Sequence, residues 1–133
     1  MSVEVSVAVI VGLFTLLLVL AFAMGAIPPM GLRTIMGNRE GVPALTGWVG
    51  RADRAHQNAL DNLLPFAVVA FALQAAHLST GLSRTAALAF LVARLVHGLA
   101  YLLGIQGVRT LAWNIGLAAT FVAALPLIGV LQF

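Results

Sequence analysis

Hydrophobic positions along this chain fall into four long runs, parted by short stretches rich in glycine, proline and polar residues. The first run, about residues 5–26, carries no charge after Glu4 and stops before Pro28-Pro29, a pair that breaks helices. The second, about residues 48–77, is polar in its first half and apolar from Leu63 onward. The third covers about residues 83–104 and the fourth about residues 108–131. Each reaches the roughly 20 residues that a helix needs to cross the hydrocarbon core of a bilayer. The pattern therefore predicts an all-α fold, an integral membrane four-helix bundle forming one domain over residues 1–133. Residues 27–47 read as a Gly/Pro-rich loop, and residues 78–82 and 104–107 as tight turns. Short turns make sequential helices antiparallel neighbours. Ser83 is the predicted N-cap of the third helix.

Composition moves these helices from a soluble core into lipid. Hydrophobic residues make up 62% of the chain and charged residues 8%, against roughly 45–50% and about 25% in soluble domains. Too few charges remain to cover a water-exposed surface, whereas lipid solvates apolar side chains directly. The first run lacks a basic segment ahead of it and outlasts the apolar core of a secretory signal, so it reads as a spanning helix. All basic residues are Arg, and they form no stripe interleaved with aromatics, which argues against nucleic acid as a partner. Arg33, Arg39, Arg51, Arg54 and Arg109 gather on the side of loops one and three, and only Arg84 lies opposite. The positive-inside rule then puts loops one and three in the cytoplasm and both termini outside, with a bacterial inner membrane as the expected location.

Polar residues inside the runs are the candidate chemistry. Arg51, Arg54, Asn58, Asp61 and Pro65 share one face of the second helix. Asp61 sits roughly 15 Å deeper than Arg51 at the helical rise per residue. A carboxylate at that depth costs about 2.5–3.5 kcal/mol, so it is expected to face the bundle interior and to find a partner. Arg94, His97 and Tyr101 form one stripe on the third helix, with Arg94 at comparable depth. An Asp61–Arg94 pair joining the two helices is the expectation, either as plain glue or as part of a ligand site. Arg51, Arg54, His56, Asn58, Tyr101 and Arg109 form a shallower set. Arg forks match carboxylates, and an Asn and an acid beside them suit amide and amine groups. A small zwitterion with extra carboxylates fits that mixture. Arg33, Arg39 and Arg84 read as side chains snorkelling to lipid phosphates. Trp48 and Trp113 suit the aromatic belt, and Asn114 suits an interhelical hydrogen bond. The chain has no cysteine, and His56 and His97 lie on different helices without a third ligand at suitable spacing, so no metal site is expected.

Two stretches carry a family resemblance. RADRAHQNALDNLLPF at 51–66, followed by ARLVHGLAYL at 93–102, resembles the MAPEG family (membrane-associated proteins in eicosanoid and glutathione metabolism), and most of all its bacterial members and the microsomal glutathione transferase branch. The likeness covers roughly residues 27–110. It implies a four-helix bundle that assembles as a homotrimer and binds glutathione between subunits near the cytoplasmic side. It implies that the thiol is activated there as a cosubstrate, for conjugation to small lipophilic electrophiles or reduction of lipid hydroperoxides. By position in the motif, Arg54, Asn58 and Asp61 correspond to glutathione-binding residues, with Arg51 and His56 nearby. Tyr101 corresponds to a ligand-facing tyrosine, and Arg109 to the position that stabilises the thiolate. Asp61 stands where the family more often has glutamate, and Val96 where several eukaryotic members have tyrosine. Glutathione brings its own sulfur, so a chain without cysteine can still run thiol chemistry. Two other readings compete. One is a non-catalytic membrane protein binding another anionic ligand or a lipid head group. The other is a small four-helix exporter, with Asp61 as its only deep acid.

Overall fold

The computed structural model describes residues 1–38 and 41–129. Arg39 and Glu40 of the first loop, and the expected end of the last helix beyond Gly129, lie outside the described residues. Among the described residues the structure is all-helical. The elements are α1 (Val3–Met30), a short α2 (Leu32–Met36), α3 (Gly47–Ala75), α4 (Gly81–Leu103), α5 (Gln106–Ala124) and a closing 3₁₀ turn (Leu125–Leu127). Four helices, α1, α3, α4 and α5, are long and apolar enough to cross a membrane. The chain is therefore an integral membrane protein.

Boundaries moved where local chemistry outweighed the simple rule. Pro28 and Pro29 do not stop α1, which runs on to Met30 and is closed by the Gly31 N–H on the Ile27 carbonyl at 2.8 Å. A proline ring fixes φ near the helical value, so in a last turn it removes a donor without redirecting the chain. Ser83 is not the N-cap of α4. Thr80 caps it, and Ser83 stands at the third helical position of a capping box. The Thr80 hydroxyl accepts from the Ser83 N–H, and the Ser83 hydroxyl accepts from the Thr80 N–H at 2.9 Å.

Packing follows stripes of small residues. Ala52, Ala55 and Ala59 continue in phase into Phe66, Ala70 and Leu73 to make the buried face of α3. On α5 the buried face is Ala112, Gly116, Ala119 and Ala123. Small side chains let helices approach closely where lipid supplies no hydrophobic drive for association. α1 lies against α3 and α4, and α5 against α4 and α3. Phe66 and Phe90 stack at 3.9 Å between centroids, in the centre of the larger core cluster with Val5, Val7, Val11 and Ala123. A smaller cluster of Leu18, Ala55 and Ala59 packs nearer loops one and three. In register between the two lie the buried polar residues Thr15, Arg94 and His97.

Candidate functional site

The stripe read on the third helix holds. Arg94 and His97 are buried on the inner face of α4, and Tyr101 is half-buried one turn further. Gly104 then ends α4 in the left-handed region (φ 79°), a conformation that costs glycine nothing. The tight reversal starts α5 at Gln106, so Arg109 lies one turn into α5 and turns back over α4. Its guanidinium carbon sits 4.5 Å from the centre of the Tyr101 ring. His97 meets the same ring edge-on at 5.5 Å.

These groups line a cavity of about 250 Å³ between α3, α4 and α5, walled by Asn58, His97, Tyr101, Arg109, Thr110 and Trp113. Asn58 is held through Asn62, whose amide donates to the Asn58 carbonyl at 2.8 Å. The cavity joins a fixed cation, a phenol and a carboxamide within an apolar bundle. Such a set can bind a carboxylate or stabilise a developing anion. Of the residues singled out in the sequence it brings together Asn58, Tyr101 and Arg109. The sequence carries no signal for Thr110, and it marks His97 only as part of the helix stripe or a metal ligand and Trp113 only as part of the aromatic belt. The i, i+4 spacing of Arg109 and Trp113, in phase with the α4 stripe, was the available signal.

The remaining site residues go elsewhere. Arg51 donates from Nε to the Leu102 carbonyl at 3.0 Å and lies beside Gly104, tying α3 to the end of α4. His56 faces α1, with Nδ1 3.2 Å from the Thr15 carbonyl. Arg54 is exposed and, with Asp53, lines a separate crevice of about 190 Å³ under residues 42–45 of the first loop.

The expected Asp61–Arg94 pair does not form. The polar residues of α3 do share a face, but Asp61 is exposed and points out of the bundle, because the alanine stripe of α3 takes the inside. Arg94 is buried and turns to α5 instead, donating from Nη2 to the Ala112 carbonyl at 3.1 Å and to the Trp113 carbonyl at 3.4 Å. Its Nε and Nη1 have no hydrogen-bond partner among the described residues.

The model of the MAPEG family matches residues 5–129 of this sequence, nearly its whole length. No curated protein matches it.

Proposed function

Because the chain belongs to the MAPEG family, which includes glutathione transferases, peroxidases and related membrane proteins, we propose that it is a membrane-bound glutathione-dependent transferase or peroxidase acting on lipophilic electrophiles or hydroperoxides. The observation that carries this reading is the Arg109 guanidinium stacked on Tyr101 beside Asn58, in a cavity between α3, α4 and α5. A free thiol has a pKa near 8.5, and an adjacent cation lowers it. Arg suits that role because it stays protonated. In conjugation, the glutathione thiol releases its proton, the thiolate bonds to the electrophilic carbon, and the leaving group departs with its electron pair. With a hydroperoxide, the thiolate attacks the terminal oxygen, the O–O bond breaks and the alkoxide leaves to become the lipid alcohol on protonation. A second glutathione then attacks the sulfur of the resulting sulfenic acid, forming the disulfide and releasing water.

The cavity of one chain, about 250 Å³, falls just short of the 300–1,000 Å³ usual for ligand sites. Arg54 and Asp61, the other motif residues, face outward on α3. A second copy laid against that face would add a wall and bring these charges to the ligand. This supports a homotrimer with glutathione between subunits. The arginine count supports loops one and three in the cytoplasm of a bacterial inner membrane.

The test is to purify the protein in detergent and measure glutathione binding by calorimetry alongside conjugation of a chlorodinitrobenzene-type electrophile. Arg109→Ala is expected to lower turnover about 10²-fold while changing glutathione affinity much less. Asn58→Ala is expected to weaken binding about tenfold, the loss of roughly one hydrogen bond to a charged ligand. Full activity in both variants would exclude this cavity as the site. Binding without turnover in the unaltered protein would favour a non-catalytic receptor.

A further inference from the structure

Arg94 has a chemistry that simple helix glue leaves unexplained. Its side chain is 1% exposed. Only Nη2 is bonded, and both acceptors are carbonyls of α5. Nε and Nη1 stay bare among the described residues, and the guanidinium lies 5.7 Å from the Phe90 ring centre. A buried cation with unsatisfied donors is costly and needs a reason to be there.

The reason is legible on the facing helix. The inner stripe of α5, Ala112, Gly116, Ala119 and Ala123, is nearly smooth. A face of methyl groups and one hydrogen can rotate or slide against α4 with little change in packing. What picks one setting is the guanidinium, which fits into the notch at Gly116. A Cβ there would lie 2.6 Å from Nη2 and 2.8 Å from Nε. Turning α5 by one residue would put a side chain into that space and break both carbonyl contacts. The same helix carries Arg109 and Trp113 into the polar cavity, and Trp113 is itself one of the two carbonyls held.

We propose that Arg94 is a positioning residue: it fixes the rotation of α5 and so aims Arg109 and Trp113 into the cavity. For its effect on turnover, this rests on reading that cavity as the glutathione site. A rotation of roughly 20° moves a group about 6 Å from the helix axis by about 2 Å. Misplacement of about 1 Å can cost about 10²-fold in rate.

The experiment uses Arg94→Met, which keeps bulk and removes the donors, in a Trp48→Phe background where Trp113 is the only tryptophan. The expected result is a shifted Trp113 emission and altered acrylamide quenching, a melting temperature equal or higher, and kcat lower by about 10²-fold with glutathione Kd within about threefold. Gly116→Ala, which keeps the charge and fills the notch, should change emission and kcat in the same direction. Unchanged Trp113 emission and quenching in both variants would overturn the proposal. So would a kcat that falls only in step with the folded fraction. If the unaltered protein proves inactive with glutathione, the functional reading fails, while the Trp113 measurements still decide the helix setting.

Discussion

Among the described residues the bundle buries two charged groups, Glu4 in the first turn of α1 and Arg94 midway along α4, and it treats them in opposite ways. Glu4, 0% exposed, is enclosed by hydroxyls. Ser83 donates to its Oε1 at 2.6 Å, and Ser79 lies 3.0 and 3.1 Å from its two oxygens. The carboxylate also sits at the start of α4, where the helix presents its positive end. Arg94, buried to the same degree, has two bare nitrogens and spends its only bonded one on α5. The satisfied charge joins the first turn of α1 to the α3–α4 connection, as a clasp does. The unsatisfied one holds the Trp113 carbonyl of α5, a residue that lines the polar cavity. The contrast separates a charge kept for stability from a charge kept for placement.

The contrast fails if the clasp is not where stability resides. Removing a hydrogen-bond donor while its buried acceptor stays charged costs more than removing the charge itself. Ser83→Ala removes the shortest donor to the Glu4 carboxylate, leaving it Ser79, and also takes half of the α4 capping box. It should lower stability by about 3 kcal/mol, read from denaturant unfolding in detergent. Activity per folded molecule should not change. A Ser83→Ala protein as stable as the unaltered one would remove the clasp from the comparison. Activity lost ahead of folding would show that both ends serve the site.

How much of this was visible in the sequence depends on the distance between partners. The four spanning helices were legible because lipid demands long apolar runs, and Arg94, His97 and Tyr101 were legible as one stripe because the helical period sets it. The face shared by Arg51, Arg54, Asn58 and Asp61 was also read correctly. The direction of Asp61 is the exception: it is expected inside, whereas Ala52, Ala55 and Ala59 in phase with Phe66 and Leu73 take that position, and Arg51 and Asn58 are the members of the face that turn toward α4. In a membrane, small residues mark the contact face as firmly as large ones do in water. Glu4 stands in the first turn of α1. The hydroxyls that bury it are 75 and 79 residues further along the chain, and no local pattern announces such a pairing. Arg94 was given the wrong partner for the same reason, since backbone carbonyls on α5 compete with Asp61 and leave no mark in the sequence.

A smaller change sharpens the comparison by removing the charge and keeping the shape. Glu4→Gln retains an acceptor for the Ser83 hydroxyl, loses charge-assisted strength, and recovers the cost of holding a carboxylate away from solvent. These terms oppose each other, so the expected loss is about 1 kcal/mol, clearly below that of Ser83→Ala. Unfolding in detergent, run on both variants together, gives the ranking. Glu4→Gln at or beyond the Ser83→Ala loss would mean that the charge itself, through the start of α4, supplies most of the clasp.

The smallest expected effect lies just outside that cluster. Arg84 is exposed, and its Nε donates to the Ser79 hydroxyl at 3.1 Å. Among the described residues it is the only arginine on the side of the α3–α4 turn. An exposed guanidinium bonded to a hydroxyl that already serves Glu4 has water or a lipid phosphate as a ready substitute, and its long side chain gives up rotamer freedom to make the contact. Arg84→Ala should therefore shift stability by less than about 0.5 kcal/mol. A loss matching that of Ser83→Ala would mean that the clasp draws its strength from the surface, and burial would then no longer distinguish Glu4 from Arg94. A null result would leave the boundary where the geometry puts it, at the two serine hydroxyls.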